Sequence, residues 1–201
     1  MGRPRTVSDD TILEAARAVF LEQGPSASTQ SIADRLNLSQ AALFKRFGTK
    51  QDLMIEALMP KGIIPAFTEI VAKGPALDVP LEEQLRAIGR EFVLFFKAMV
   101  PCLMVLKSSG VEFDDVLARF DEPPPVMARN GLVAFFSRAM DAGLARRADP
   151  LAAATSFLGA FHMHSFMSFV TDDVMTDEAL LTFSDAVVDV VWHGIAPKEA
   201  S

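Results

Sequence analysis

LSQAALFKRF, residues 38–47, sets a Lys-Arg pair between two phenylalanines, directly after a serine cap. Its spacing decides how it folds. Leu43 and Phe47 stand four residues apart, so a helix puts both on one face. Gln40, Ala41, Phe44 and Lys45 then point away from that face. Ser39 is a favoured N-cap, and Gly48 is placed to end the helix. A solvated Lys-Arg pair is common on any helix, so the pair alone names no function.

The flanking sequence is punctuated as helix. A first helix is predicted over Asp9–Gln23, with Ser8 as cap, Asp9, Asp10 and Glu14 near its positive end, and Gly24 as its stop. Ile12, Ala16, Val19 and Phe20 form its apolar stripe. A second runs from about Thr29 to Leu36. Asn37 follows and tolerates the left-handed backbone of a tight turn. The third is the helix of the opening stretch. Thr49 and Asp52 then stand at capping-box spacing and open a fourth. Two short helices joined by Leu36-Asn37-Leu38 make a helix-turn-helix, with Ile32, Ala33, Leu36, Leu43 and Phe47 facing the first helix.

That arrangement gives the outward residues a use. The N-terminal part of the second helix of such a pair reaches base edges in a major groove. Ala41 lets the backbone approach closely. Gln40 and Lys45 can donate to bases or phosphates, and Phe44 can pack on sugars or a thymine methyl. Thr29, Ser39 and Lys50 are placed for phosphates. Arg3 and Arg5 lie on an arm able to enter a minor groove. The charge distribution agrees. The whole chain of 201 residues is acidic, with a formal net charge of −7. Residues 1–50 nevertheless hold seven Lys/Arg against five Asp/Glu, so the head is mildly basic on an acidic body.

These residues resemble the TetR-like one-component transcriptional regulators. The matching stretch is about Thr11–Leu58. It contains ILEAARAVFLEQG, the pattern T-x-x-I-A-x-x-L at Thr29, Ile32, Ala33 and Leu36, and LSQAALFKRFGTKQDLM. In the last, Leu38, Ser39, Leu43, Phe47, Lys50 and Leu53 are in register with the family's signature. Two positions depart from it. Asn37 stands near the usual glycine, and Phe44 replaces the usual tyrosine. A phosphate contact through a tyrosine hydroxyl therefore does not carry over; only packing against the DNA backbone does. The resemblance implies double-stranded DNA as partner, a small-molecule effector bound in the body, and a homodimer whose four-helix interface comes from the last two helices of each subunit.

Beyond the head, an interrupted helix and linker are expected over residues 60–80. Helices follow over about 81–99, 101–109, 125–143, 150–170 and 177–195. The fold class is all-α, with a DNA-binding head over residues 1–50 and an effector-binding and dimerisation body over 51–201. The apolar stripe of the last helix, with Leu180, Val187 and Val191, and the flank of the preceding one, with Phe157 and His164, are the expected dimer surface. Phe92, Phe96, Met99, Met104, Phe136 and Phe161 are either plain core or the lining of an apolar effector pocket. Ser108, Arg129 and His162 would supply its polar contacts.

Several classes of function find no support in the sequence. Residues 151–170 carry no charge over the length of a bilayer span, but Asp149, Asp172 and Asp173 flank them and no aromatic belt adjoins. A buried or subunit-interface helix is the better account. His162 and His164 point in different directions on a helix, so no metal site is expected. A single cysteine, Cys102, permits no internal disulfide and fits a reducing cytoplasm. No nucleophile–base pair or phosphate-binding glycine loop is present, and no cofactor is expected. The rival reading is a helical small-molecule-binding protein or enzyme whose head is merely structural.

Overall fold

The computed structural model describes residues 7–59, 66–171, 173 and 176–196. Every regular element among them is helical. The helices are α1 (Asp9–Gln23), α2 (Thr29–Arg35), α3 (Gln40–Phe47), α4 (Lys50–Leu58), α5 (Ala66–Lys73), α6 (Leu81–Ser108), α7 (Phe113–Leu117), α8 (Pro124–Asp141), α9 (Pro150–Thr171) and α10 (Asp177–Ile195). The chain divides into two compact units. One comprises Met1–Ile63 and Pro101–Asp121; the other comprises Ile64–Val100 and Glu122–Ser201. The head expected over residues 1–50 is thus part of a larger compact unit.

In the first unit α1 packs against α2 and α4, and α3 packs against the same two helices. Helices α2, α3 and α4 have only seven to nine residues each. Helices this short are marginal in isolation. Two features hold them. Ser8, Ser28, Ser39 and Thr49 each accept a backbone N–H from the residue three positions on, a cap worth about 1 kcal/mol. Ile12, Ala16, Val19, Phe20, Ile32, Ala33, Leu43, Phe47, Leu53 and Leu58 are then buried together. Leu36, expected among them, is only half-buried at the end of α2. The turn into α3 passes through Asn37 at φ +54°, a conformation that asparagine adopts more readily than most residues.

In the second unit α5 packs on α8, α8 on α9, and α9 on α10. Phe67, Phe92, Phe135, Phe136, Phe157 and Phe161 are buried at its centre. Helices α6 and α10 are joined along one edge by charge. Arg86 pairs with Asp189 at 2.5 Å, Arg90 with Asp185 at 3.2 Å, and Lys97 with Asp177 at 2.6 Å. The numbers rise along α6 as they fall along α10, so the two run antiparallel. The residues between α5 and α6 are tied down by Gln84, which accepts from the Ala76 amide and donates to the carbonyls of Ala76 and Val79.

Two expectations need correction. The helices predicted over 81–99 and 101–109 are one helix, α6, with Pro101 inside it. Proline removes one amide donor and usually breaks a helix; here Met99, Val100, Cys102 and Leu106 on either side are buried, which favours continuing it. Helix α7 was not foreseen, because five residues are too few to display a period. Within the interrupted helix and linker expected over residues 60–80, α5 is the helical part, while residues 60–65 lie outside the described ones. The charge-free stretch 151–170 falls in α9, with Ala153, Ala154, Phe157, Phe161 and Ser165 buried. Among the described residues no helix is long and apolar enough to cross a membrane.

Candidate nucleic-acid interface

The Lys-Arg pair of α3 divides its labour. Arg46 turns back onto the start of α1, where its guanidinium donates to the Val7 carbonyl at 2.6 Å and to the Asp9 carboxylate at 3.2 Å. Lys45 is exposed and makes no hydrogen bond or ion pair among the described residues. Ala41 is exposed beside it, and Phe44 keeps 40% of its surface. Gln40 is half-buried at the first turn of the helix. Ala41, Phe44 and Lys45 are thus exposed, whereas Gln40 stands three residues before Leu43 and seven before Phe47, at the edge of the face those two buried residues share. The outer surface of α3 presents a methyl, a ring and a free ammonium, with the Gln40 amide at its edge, on a helix fixed from behind.

The residues expected at phosphates are placed differently from one another. Ser39 Oγ accepts from the Ala42 amide at 3.2 Å, leaving its exposed hydroxyl proton to donate elsewhere. Lys50 is half-buried, and its ammonium donates to the Pro25 carbonyl at 3.1 Å, bridging the start of α4 to the turn before α2. Two further protons remain on that ammonium. Thr29 is 4% exposed, and its Oγ1 accepts from Gln40 Nε2. Its side chain faces Gln40 inside the unit and not the surrounding solvent, so a direct phosphate contact from this hydroxyl runs against its burial. Arg3 and Arg5 lie outside the described residues.

Behind α3 the start of α4 is locked. Thr49 Oγ1 accepts from the Asp52 amide, and the Asp52 carboxylate accepts from the Thr49 amide, closing the capping box. Gly48 precedes it at φ +80°, and a Cβ there would lie 3.1 Å from Asp52 Oδ2. Arg119, just beyond α7, reaches the same carboxylate at 3.3 Å. Hydrogen bonds from Thr49, aided by the Arg119 charge, hold the Asp52 carboxyl below the usual carboxylate range, although slight burial opposes them. Nothing local in the sequence marks the Arg46 and Arg119 contacts. Each joins residues far apart in the chain, and such contacts leave no periodic signature.

The residues expected to line an effector pocket are divided between the two units. Phe92, Phe136 and Phe161 are fully buried and Met99 nearly so. Phe92 lies 5.9 Å from the rings of both Phe157 and Phe161, and Phe96 meets His162 edge-on at 5.5 Å. These belong to an aromatic cluster in the second unit. Met104 and Ser108 belong to the first unit, and Ser108 Oγ donates to the Val105 carbonyl. Arg129 is exposed and donates to the Asn130 side chain. A surface depression of about 380 Å³ does occur in the second unit, between Ile70, Lys73, Ala76, Val79, Glu83 and Gln84. None of the expected pocket residues lines it.

The expected dimer residues also separate. Phe157 and Leu180 are covered by their own chain, on the faces that α9 and α10 turn to the core. Val187 and Val191 are half-buried against that core. His164 stacks on Phe183 at 3.9 Å, and its buried Nε2 has no hydrogen-bond partner among the described residues. The apolar groups left in the open include Met163, Phe166, Met167, Phe169 and Val170 of α9 and Val190 of α10, the last 77% exposed. Cys102 is buried, and burial pushes its thiol up despite the nearby Arg17 charge. Among the described residues no group of three His, Cys, Asp or Glu is arranged to hold a metal ion.

Comparison with known proteins places these features in a family. The family model described as bacterial regulatory proteins of the tetR family matches residues 12–57. That of the C-terminal domain of AefR-like transcriptional repressors matches residues 83–192, more than half of the chain. No curated protein sequence matches the chain significantly. Among solved structures, a candidate TetR-family transcriptional regulator from Mesorhizobium loti MAFF303099 is similar with a TM-score of 0.70 at 18% identity, over 92% of this chain and 95% of that one. The regulator FadR from Bacillus subtilis, in complex with stearoyl-CoA, is similar with a TM-score of 0.65 at 18% identity, over 90% and 95%. SmeT, in complex with triclosan, is similar with a TM-score of 0.68 at 19% identity, over 92% and 90%.

Proposed function

The chain belongs to the TetR family of bacterial regulatory proteins, and from that premise we propose a ligand-responsive repressor that binds an inverted-repeat operator as a homodimer and acts in the cytoplasm. Residues 1–50 carry DNA recognition; residues 51–201 carry effector binding and dimerisation. The observation that carries the reading is the outer face of α3. It leaves Ala41, Phe44 and Lys45 exposed, with the half-buried Gln40 at its edge, while Arg46 fastens the same helix to the start of α1. One such helix covers one half-site, so two related by a two-fold axis are needed for a specific site. The exposed Met163, Met167, Val170 and Val190 are the surface we assign to that pairing.

The effector we propose is apolar or aromatic. Two supports point that way: the Phe-rich interior of the second unit, and the ligands of two similar structures, stearoyl-CoA with FadR and triclosan with SmeT. The effector acts by population shift. Two heads about one duplex turn apart, roughly 34–36 Å, can bind together; effector favours a form in which they cannot. A useful switch needs a differential affinity of about 1–3 kcal/mol between the forms. No catalytic role is assigned.

The test combines thermal shift with DNA retention. The protein is screened against apolar and aromatic compounds, and each is tested for release of protein from a duplex it retains. A compound that both raises Tm and releases DNA is the expected result. DNA retention with no compound doing both would leave a regulator without an effector. No retention on any duplex would return the head to a structural role.

A further inference from the structure

We propose that Thr29 is a positioning residue for Gln40, and that it orients the Gln40 amide to read an adenine in the major groove. The inference rests on the DNA-binding reading of α3. Thr29, the first residue of α2, is 4% exposed. Gln40, the first residue of α3, is half-buried. Its Nε2 donates to Thr29 Oγ1 at 2.5 Å, across the turn that joins the two helices.

The bond removes a freedom that matters for recognition. A free glutamine side chain samples many rotamers, and its amide can turn over and exchange donor for acceptor. A side chain held before it meets its partner loses less entropy on binding. With one Nε2 hydrogen given to Thr29, the other hydrogen and Oε1 remain. That donor–acceptor pair matches N7 and the N6 amino group of adenine, the bidentate partner of a glutamine amide. Guanine offers only acceptors on that edge, so it leaves Oε1 without a partner. Turned over, the same amide would take a proton from Thr29 and present its two N–H groups, which fit guanine instead. The orientation of this one bond therefore sets the base.

Direct phosphate contact by Thr29 predicts something different. A phosphate contact adds affinity on every sequence and adds to the salt dependence. A positioning role changes preference at one base pair and leaves the rest alone.

The test selects random duplexes on the wild type and on Thr29→Val, Thr29→Ser and Gln40→Ala. Valine keeps the shape of threonine and removes the hydroxyl; serine keeps the hydroxyl. Wild type and Thr29→Ser should share an adenine at one position of each half-site. Thr29→Val and Gln40→Ala should each lose that preference by roughly tenfold, while affinity for random competitor is unchanged. Combining them should add nothing to Gln40→Ala, since both remove one contact. A uniform loss of affinity in Thr29→Val with a shallower salt slope would overturn the proposal in favour of phosphate. A guanine at that position would overturn the stated orientation.

The free protein gives a separate readout. Nuclear magnetic resonance of the Gln40 side-chain amide should show slowed hydrogen exchange in the wild type and Thr29→Ser, lost in Thr29→Val. Equal exchange in all three overturns the positioning role whether or not DNA is bound. Slowed exchange in a protein that selects no motif would instead sink the DNA-binding reading, and the adenine assignment with it.

Discussion

At the scale of the residue, two neighbours of the same charge have different work. Lys45 projects from α3 without a partner among the described residues, whereas Arg46 bonds Val7 and Asp9 at the start of α1. Lys45→Ala should weaken binding to a selected operator more than binding to random duplex, with stability unchanged within about 0.5 kcal/mol. Arg46→Ala should do the reverse, lowering stability by roughly 1 kcal/mol, since a partly exposed ion pair and one hydrogen bond are lost. Filter binding and urea unfolding of both variants separate the roles; equal losses from Lys45→Ala on both duplexes would leave it as a phosphate contact. The exposure of Ala41, Phe44 and Lys45 was legible from period alone, because Leu43 and Phe47 fix the inner face; Gln40, expected outward with them, is half-buried beside that face. The roles of Arg46 and Thr29 were not, because each depends on a partner across a turn or at the far end of another helix.

At the scale of the element, the short helices depend on their ends. Boundaries at Ser8, Ser39 and Thr49 could be read from the sequence because caps are chemical marks and not averages over a window. Pro101 misled for the same reason: proline marks a break, and only burial on both sides of it decides otherwise. Thr49→Ala should cost about 1 kcal/mol, the usual loss of an N-cap. The pH dependence follows from Asp52. Its carboxyl is held below the ordinary value of 3.8, with the Thr49 hydrogen bonds as the main cause. A lowered folded pKa means stability that is present above the unfolded value and is lost as pH falls through the folded one. Wild type should therefore lead Asp52→Asn at about pH 6, and the gap should narrow below about pH 4 as Asp52 protonates. Urea midpoints across that range check it; a constant gap would mean the carboxylate charge contributes nothing.

At the scale of the whole molecule, an all-helical chain with a basic head was legible, and the division of its apolar residues was not. Phenylalanine at helical spacing looks the same whether it fills a core, lines a pocket or meets a second subunit. Packing placed Phe157 and Leu180 in the core of their own chain and left Val190 in the open. Val190→Glu should therefore leave the folded chain intact and halve its mass by light scattering; a surviving dimer would move the interface elsewhere. Whether α3 and its symmetry mate read DNA is decided by sequencing the random duplexes that purified protein retains at near-physiological salt. An enriched inverted repeat with half-site centres about one helical turn apart is the expected result. Retained sequences indistinguishable from the input pool, from protein shown by mass spectrometry to carry no bound compound, would contradict it.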